Sequence, residues 1–235
     1  MRFRWLSLII LLSICAGAQQ TILNIPSADV LDKKQIYFRL DTSIFWSPET
    51  ATTAPNFIFG LGHNIEAGIN MNAFGIPADT ANRSIVPNIK WKFYSTGKPD
   101  SANRLDLYAG NQVFFPTFHR TFTAGNYLYG AAAATVHSNL RFTVGGWDSA
   151  NVIADGNRAG AMLGLEGTVA HVNNRNLITL AGDWQSGQGS NGTLALGIMF
   201  FPTDRLMLIP TVQFANSGNH DANGAIIFIG YMLRK

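Results

Sequence analysis

The 235-residue chain is 47% apolar, 13% charged and 11% aromatic, with 23 glycines, one cysteine and a formal net charge of +3. That apolar share excludes a disordered chain, and a single cysteine excludes both a disulfide-stapled scaffold and a four-thiolate zinc centre. Charged residues fall well below the roughly 25% of soluble domains, which implies a surface that largely does not face water. Yet after residue 14 no apolar run reaches the roughly 18 residues that a spanning helix needs.

In chain order, Met1-Arg2-Phe3-Arg4 is a basic start, Trp5 to Ile14 an apolar run, and Ala16-Gly17-Ala18 an A-x-A cleavage site before Gln19. Residues 1–18 are therefore expected to be a secretory signal peptide. A lipid-anchoring signal would want a small residue before Cys15, where Ile14 stands. Cleavage after Ala18 removes the cysteine together with Arg2 and Arg4, leaving 15 bases against 14 acids. That near-balance holds no polybasic patch, and no nucleic-acid partner is expected. Residues 19–32 are too few for a domain and are expected to form a periplasmic lead or to tuck into the lumen of the domain downstream.

From residue 33 to 235 apolar and polar residues alternate with a period of two, and helical stripes are nearly absent. Twelve strands are expected, at about 34–46, 55–62, 65–74, 85–95, 104–115, 121–136, 139–147, 160–172, 176–185, 192–201, 206–216 and 224–234. Short connections follow strands two, six, eight and ten: His63-Asn64, His137-Ser138, Asn173-Asn174-Arg175 and Pro202-Thr203-Asp204-Arg205. Most odd-numbered strands are followed by longer ones rich in Gly, Asn, Asp, Pro and Ser, such as Ser47–Ala54, Asp148–Ala159 and Ser217–Asn223. An even number of roughly 10-residue strands, with short turns at one edge and longer loops at the other, predicts one up-and-down antiparallel transmembrane β-barrel. The expected strand number is twelve, with ten as the alternative, and both termini lie in the periplasm.

Segments 57–72 (Phe57-Ile-Phe-Gly-Leu-Gly-His-Asn-Ile-Glu-Ala-Gly-Ile-Asn-Met-Asn72) and 194–214 (Leu194-Ala-Leu-Gly-Ile-Met-Phe-Phe-Pro-Thr-Asp-Arg-Leu-Met-Leu-Ile-Pro-Thr-Val-Gln-Phe214) resemble hairpins of bacterial outer-membrane β-barrel proteins. The resemblance is to the class and covers most of the mature chain; such hairpins recur in porins, enzymes and adhesins. It implies a Gram-negative outer-membrane location, contact with outer-membrane lipid and lipopolysaccharide, and insertion by the barrel assembly machinery. Many such barrels end on an aromatic residue, whereas this chain ends Tyr231-Met-Leu-Arg-Lys235.

Successive side chains of a strand point to opposite sides, so parity sorts the faces. Ile36, Phe38, Leu40, Ile44 and Trp46 share one side of the first strand, and Gln35, Arg39, Asp41 and Ser43 the other. Ile89, Trp91 and Phe93 likewise oppose Asn88, Lys90 and Lys92. With the oily side against lipid, the lumen is expected to hold Arg39, Asp41, Glu66, Lys90, Lys92, Asp106, Arg141, Glu166 and Asp183. Aromatic belts are expected at Trp46, Phe74, Phe115, Trp147, Trp184 and Phe214 on the longer-loop edge, and at Phe93, Tyr94, Phe200, Phe201 and Tyr231 on the other. Parity puts Phe74 and Trp147 inside, so they either line the mouth or are re-aimed by a bulge, which Gly145-Gly146 would supply for Trp147.

Charges of both signs in a narrow lumen must be paired or wet, and their near-balance argues against strong ion selectivity. The expected activity is non-enzymatic: a small passive pore for small solutes, or a structural, interaction-bearing barrel, with no cofactor. The alternatives are a soluble periplasmic β-barrel or β-sandwich that binds a ligand, with its oily faces inward, and an outer-membrane lipid-modifying enzyme. Chemistry-bearing motifs are few. His137-Ser138 are sequential in a turn, where neighbours point apart, and His63, His119, His171 and His220 are scattered without zinc-ligand spacing. Gly60-Leu-Gly62 precedes no helix and is read as strand or turn glycine. Asn219-His-Asp221-Ala-Asn223-Gly224 has the opening of a calcium loop but lacks its closing acid, since Gly230 stands there. The aromatics of Phe114-Phe-Pro-Thr-Phe-His-Arg120 suit a surface partner or an interface anchor.

Overall fold

The computed structural model describes residues 21–47, 49–72, 74–76, 84–97, 101–117, 125–137, 139–150, 158–172, 175–187, 192–216 and 223–234. Their strands are β1 (Ile36–Trp46), β2 (Glu49–Gly62), β3 (Ile65–Asn72), β4 (Phe74–Ile76), β5 (Ser84–Ser95), β6 (Arg104–Pro116), β7 (Gly125–Val136), β8 (Leu140–Ala150), β9 (Ala159–Val172), β10 (Arg175–Gln185), β11 (Thr193–Phe200), β12 (Leu206–Ala215) and β13 (Gly224–Arg234). The short β4 continues β3, since both pair antiparallel with β2. The wall is therefore twelve antiparallel strands in sequence order, closed where β13 pairs with β1 from Ile36↔Arg234 to Phe45↔Gly224.

Closure gives each of the twelve wall strands a hydrogen-bonded neighbour on both sides, as a barrel in hydrocarbon requires because no water is present to take up a free edge. The turn His63-Asn64 has φ of 54° and 58°, the left-handed pair that a tight hairpin demands. One expected loop is corrected. Residues 49–54, read as part of a connection, belong to β2, with Glu49 opposite Trp46 and Thr53 opposite Thr42. The stretch Glu-Thr-Ala-Thr-Thr-Ala carries no oily face to reveal a strand; its ladder with β1 and the β-branched threonines hold it extended.

The greasy side faces out. Ile69 is 45% exposed, Trp91 52% and Val144 56%, so the oily faces do not converge on a dry centre as they would in a soluble barrel. Trp46, Phe115, Phe214, Phe93, Tyr94, Phe200 and Tyr231 are likewise exposed, while Trp184 and Phe201 are half-buried. Trp147 is turned inward, stacked on Tyr127 at 5.8 Å between centroids. The bulge suggested for it is absent: the pairings Ala131↔Gly145, Gly130↔Gly146 and Tyr129↔Trp147 run without a shift. Phe74's side chain lies outside the described residues.

Inward glycines make room for inward rings. A Cβ at Gly110 would meet the Tyr129 ring and lie 2.6 Å from the Ile89 carbonyl oxygen. Gly110→Val is therefore expected to destabilise the barrel by about 1–3 kcal/mol, the usual cost of overpacking, seen as a lowered urea midpoint in lipid vesicles.

Of the segment expected over residues 19–32, the described part, 21–32, lies within the lumen. It bonds to inward side chains of β3, β6, β8, β10, β11 and β12. Its backbone runs hard against β2, where Gly60 leaves space for the Leu31 and Asp32 carbonyls. There Lys34 N–H donates to the Gly60 carbonyl at 2.9 Å and Gly60 N–H to the Gln35 carbonyl at 3.0 Å. Gly60 is thus a strand glycine placed for a close backbone approach.

Candidate functional site

The lumen and the segment inside it form the site. The segment begins as a tight bend, with Thr21 bridged to Pro26 and Ile22 N–H donating to the Ile25 carbonyl at 2.8 Å. This bend turns three successive N–H groups, of Leu23, Asn24 and Ile25, onto Asp183 Oδ2 at 2.9, 2.7 and 3.0 Å. A run of N–H groups converging on one carboxylate oxygen is an anion nest, with the anion supplied by the wall. The Asn24 amide donates to Thr193 Oγ1 at 3.1 Å and Gln213 Oε1 at 2.8 Å. Tyr108 donates to the Pro26 carbonyl at 2.7 Å, and Leu31 N–H to Glu66 Oε2 at 2.9 Å.

Its apolar side chains complete the seal. Ile22, Leu23, Ile25, Ala28 and Leu31 are all at most 2% exposed, in one cluster with Tyr108, Met162, Met199, Met207 and Ile209 of the wall. A Cβ at Gly164 would strike the Cδ1 atoms of Ile22 and Ile25, and one at Gly197 would strike Leu23 Cδ2. Wall and segment are thus shaped to each other. The interior is accordingly less uniformly polar than parity alone suggests, because inward tyrosines, methionines and Phe228 pack on a segment that brings its own aliphatics.

Among the expected lumen charges, Arg39, Glu66, Lys90, Asp106, Glu166 and Asp183 are buried, and Asp41, Lys92 and Arg141 half-buried. They fall into two groups with Asp183 apart. Toward the longer-loop edge Arg39 pairs with Asp41 at 2.6 Å, donates to Thr21 Oγ1 at 2.7 Å and lies 5.0 Å above the Phe228 ring. At mid-lumen and below, Lys90 pairs with Glu66 at 2.8 Å, and Arg104 with Asp106 at 2.7 Å. Arg141 donates from Nη2 to Glu166 Oε1 at 2.7 Å, and it grips Asp29 of the segment through Nη1 and Nη2 at 2.9 Å. Lys90 also donates to the Asp29 carbonyl. Burial pushes the Asp29 carboxyl up, but Arg141, with Lys92 and Arg104 further off, holds it below the ordinary carboxylate range.

Glu66 stands directly opposite Lys90, and Arg141 opposite Glu166, in the strand ladders. Their pairing follows from register. Two members of the network were absent from the expected set. Arg104 shares the parity of Asp106 and was within reach of the same reasoning, whereas Asp29 lies on no strand. The signal for the segment was its own composition: Ile22, Leu23, Ile25, Val30 and Leu31 are too apolar for a solvated lead.

Above the segment a cavity of about 300 Å³ is lined by Asp41, Ser43, Asn56, Asn70 and Gln112 and ends on Thr21, Leu23 and Asn24. Among the described residues no three of His, Cys, Asp or Glu are grouped to hold a metal. His119, His220, Ser138 and the 217–222 part of the calcium-like loop lie outside the described residues, as do 118–124 and the leader. His63 and His171 are exposed at the turn edge.

No protein-family model and no curated protein matches the chain. Solved structures do. A KdgM porin is similar over 86% of this chain and 99% of its own, with a TM-score of 0.54 and 10% sequence identity. The fold is that of the outer-membrane β-barrels. Outer membrane phospholipase A from Escherichia coli is similar over 88% of this chain and 94% of its own, at 12% identity and a TM-score of 0.47. An active-site mutant of that phospholipase is similar over 94% of this chain and 99% of its own, at 13% identity and a TM-score of 0.49. At such identities the likeness is one of fold.

Proposed function

We propose that this protein is a passive, non-enzymatic outer-membrane pore for small solutes that its own amino-terminal segment holds shut. One observation carries the reading: residues 21–32 fill the barrel from its short-turn edge to the Asp183 level, with aliphatic side chains buried and N–H groups bonded to the wall. A barrel wanted only as a scaffold has no need of a filler joined to the wall by a single strand end. A filler of aliphatics with one buried carboxylate pair, Asp29 on Arg141, leaves behind a wall whose charges and amides stand among tyrosines and methionines, and those polar groups suit water. The segment enters at the periplasmic edge, so release would be toward the periplasm.

The test is planar-bilayer recording of refolded protein. Full-length barrel is expected to be closed for most of the record. A variant lacking Gln19–Leu31, checked as folded by its heat-modifiable mobility, is expected to conduct steadily. A folded deletion variant that stays silent would overturn the pore and leave the scaffold reading in its place.

A further inference from the structure

The carboxylate of Asp29 occupies a place that the wall itself leaves one anion short. Around it stand four bases, Lys90, Lys92, Arg104 and Arg141, and three wall acids, Glu66, Asp106 and Glu166. Among the described residues these wall groups sum to one surplus positive charge, and Asp29 cancels it. Arg141 divides its guanidinium between two carboxylates. One edge serves Glu166, which belongs to the wall; the other serves Asp29, which belongs to a segment joined to the wall only through β1. A fork of this kind matches a carboxylate in plane and spacing, and a buried charge left without its partner is strongly unfavourable.

We infer that this mid-lumen girdle is a binding site for a small carboxylate or other oxyanion, that Asp29 fills it in the closed barrel, and that a free carboxylate takes the place when the segment is out. The inference rests on the gated-pore reading for its second half and on geometry alone for its first. Other charges bear on it. Asp183 lies toward the longer loops and loses its three N–H donors when the segment leaves, while Arg39 and Asp41 remain paired to each other. The open lumen thus holds a positive girdle below a lone acid. Binding is local, and net ion selectivity remains weak.

Chemical rescue in the full chain tests the site without any channel record. Asp29→Ala removes the carboxylate and leaves room for about one acetate. Acetate is expected to raise the variant's urea midpoint in vesicles saturably, acetamide is expected to do nothing, and wild type is expected to respond to neither. Inorganic phosphate, run as a separate arm, distinguishes a site for oxyanions in general from one shaped to a carboxylate plane. Adding Arg141→Gln should raise the half-saturating acetate concentration about tenfold or more, the size of a lost charge-assisted bond pair. Should that double variant fail to fold, Lys92→Gln, which removes the surplus charge and leaves the fork intact, is expected to act in the same direction. Equal effects of acetate and acetamide on Asp29→Ala would overturn the site. In the deletion barrel, acetate should reduce the single-channel current where acetamide does not. A silent deletion barrel combined with rescue of Asp29→Ala would overturn the pore and keep the site.

Discussion

Arginine in place of Leu165 is expected to prevent stable insertion of the barrel. Leu165 sits at the middle of β9, between Phe142 of β8 and Gly182 of β10, with its side chain turned out and 46% exposed. If that side meets acyl tails, the guanidinium lies near the bilayer midplane, where it costs about 2–4 kcal/mol. The same substitution at Val172, at the short-turn end of β9 and 43% exposed, is expected to cost only about 0–1 kcal/mol, because the side chain reaches the headgroups. The urea midpoint of refolded protein in vesicles measures both. Equal, negligible costs at the two positions would mean that the exposed face meets water, and the membrane assignment would fall.

Replacing Arg141 with methionine is expected to release the segment. The change keeps much of the side chain's bulk but leaves Asp29 and Glu166 buried without the cation that both share. Breaking a buried pair by removing one partner costs about 3–5 kcal/mol, enough to undo the docking of a dozen residues. The expected record is conductance approaching that of the deletion barrel, together with protease cleavage of the segment. The pH dependence has a definite sign. Asp29 ionises below the ordinary carboxylate range in the docked state. Its contribution to docking is therefore fully present above the free value of roughly 4 and is lost as pH falls through the lowered one. The Asp29 contact is therefore expected to be lost only in strong acid. Once Arg141 is gone, only the more distant Lys92 and Arg104 work against burial at Asp29, so Asp29→Asn in the methionine background should recover part of the docking lost. A double-mutant cycle at low and neutral pH measures the coupling.

How far the sequence reached is clearest from particular residues. Ile89, Trp91 and Phe93 alternate with Asn88, Lys90 and Lys92 because a strand has only two sides, so one pass along the chain separates the outer face from the lumen. His63-Asn64 marks a turn because few residue pairs tolerate two left-handed conformations in succession, and Glu66 finds Lys90 because neighbouring strands of a meander sit in register. Those are local rules, and they specified the barrel and its inside-out polarity. What lay beyond them was long-range. Trp147 faces inward because β7 and β9 give it Tyr127 and the space over Gly160, and Glu49–Ala54 is strand because β1 lies beside it.

Above all, the place of residues 21–32 depended on Asp183, some 160 residues further on, and on a surplus base that exists only where three strands bring Lys90, Lys92, Arg104 and Arg141 together. Alternation alone determined an inside-out barrel. Closure of the sheet decided whether its bore stands open, because only then do carboxylates and cations from distant strands surround a segment with no periodicity of its own.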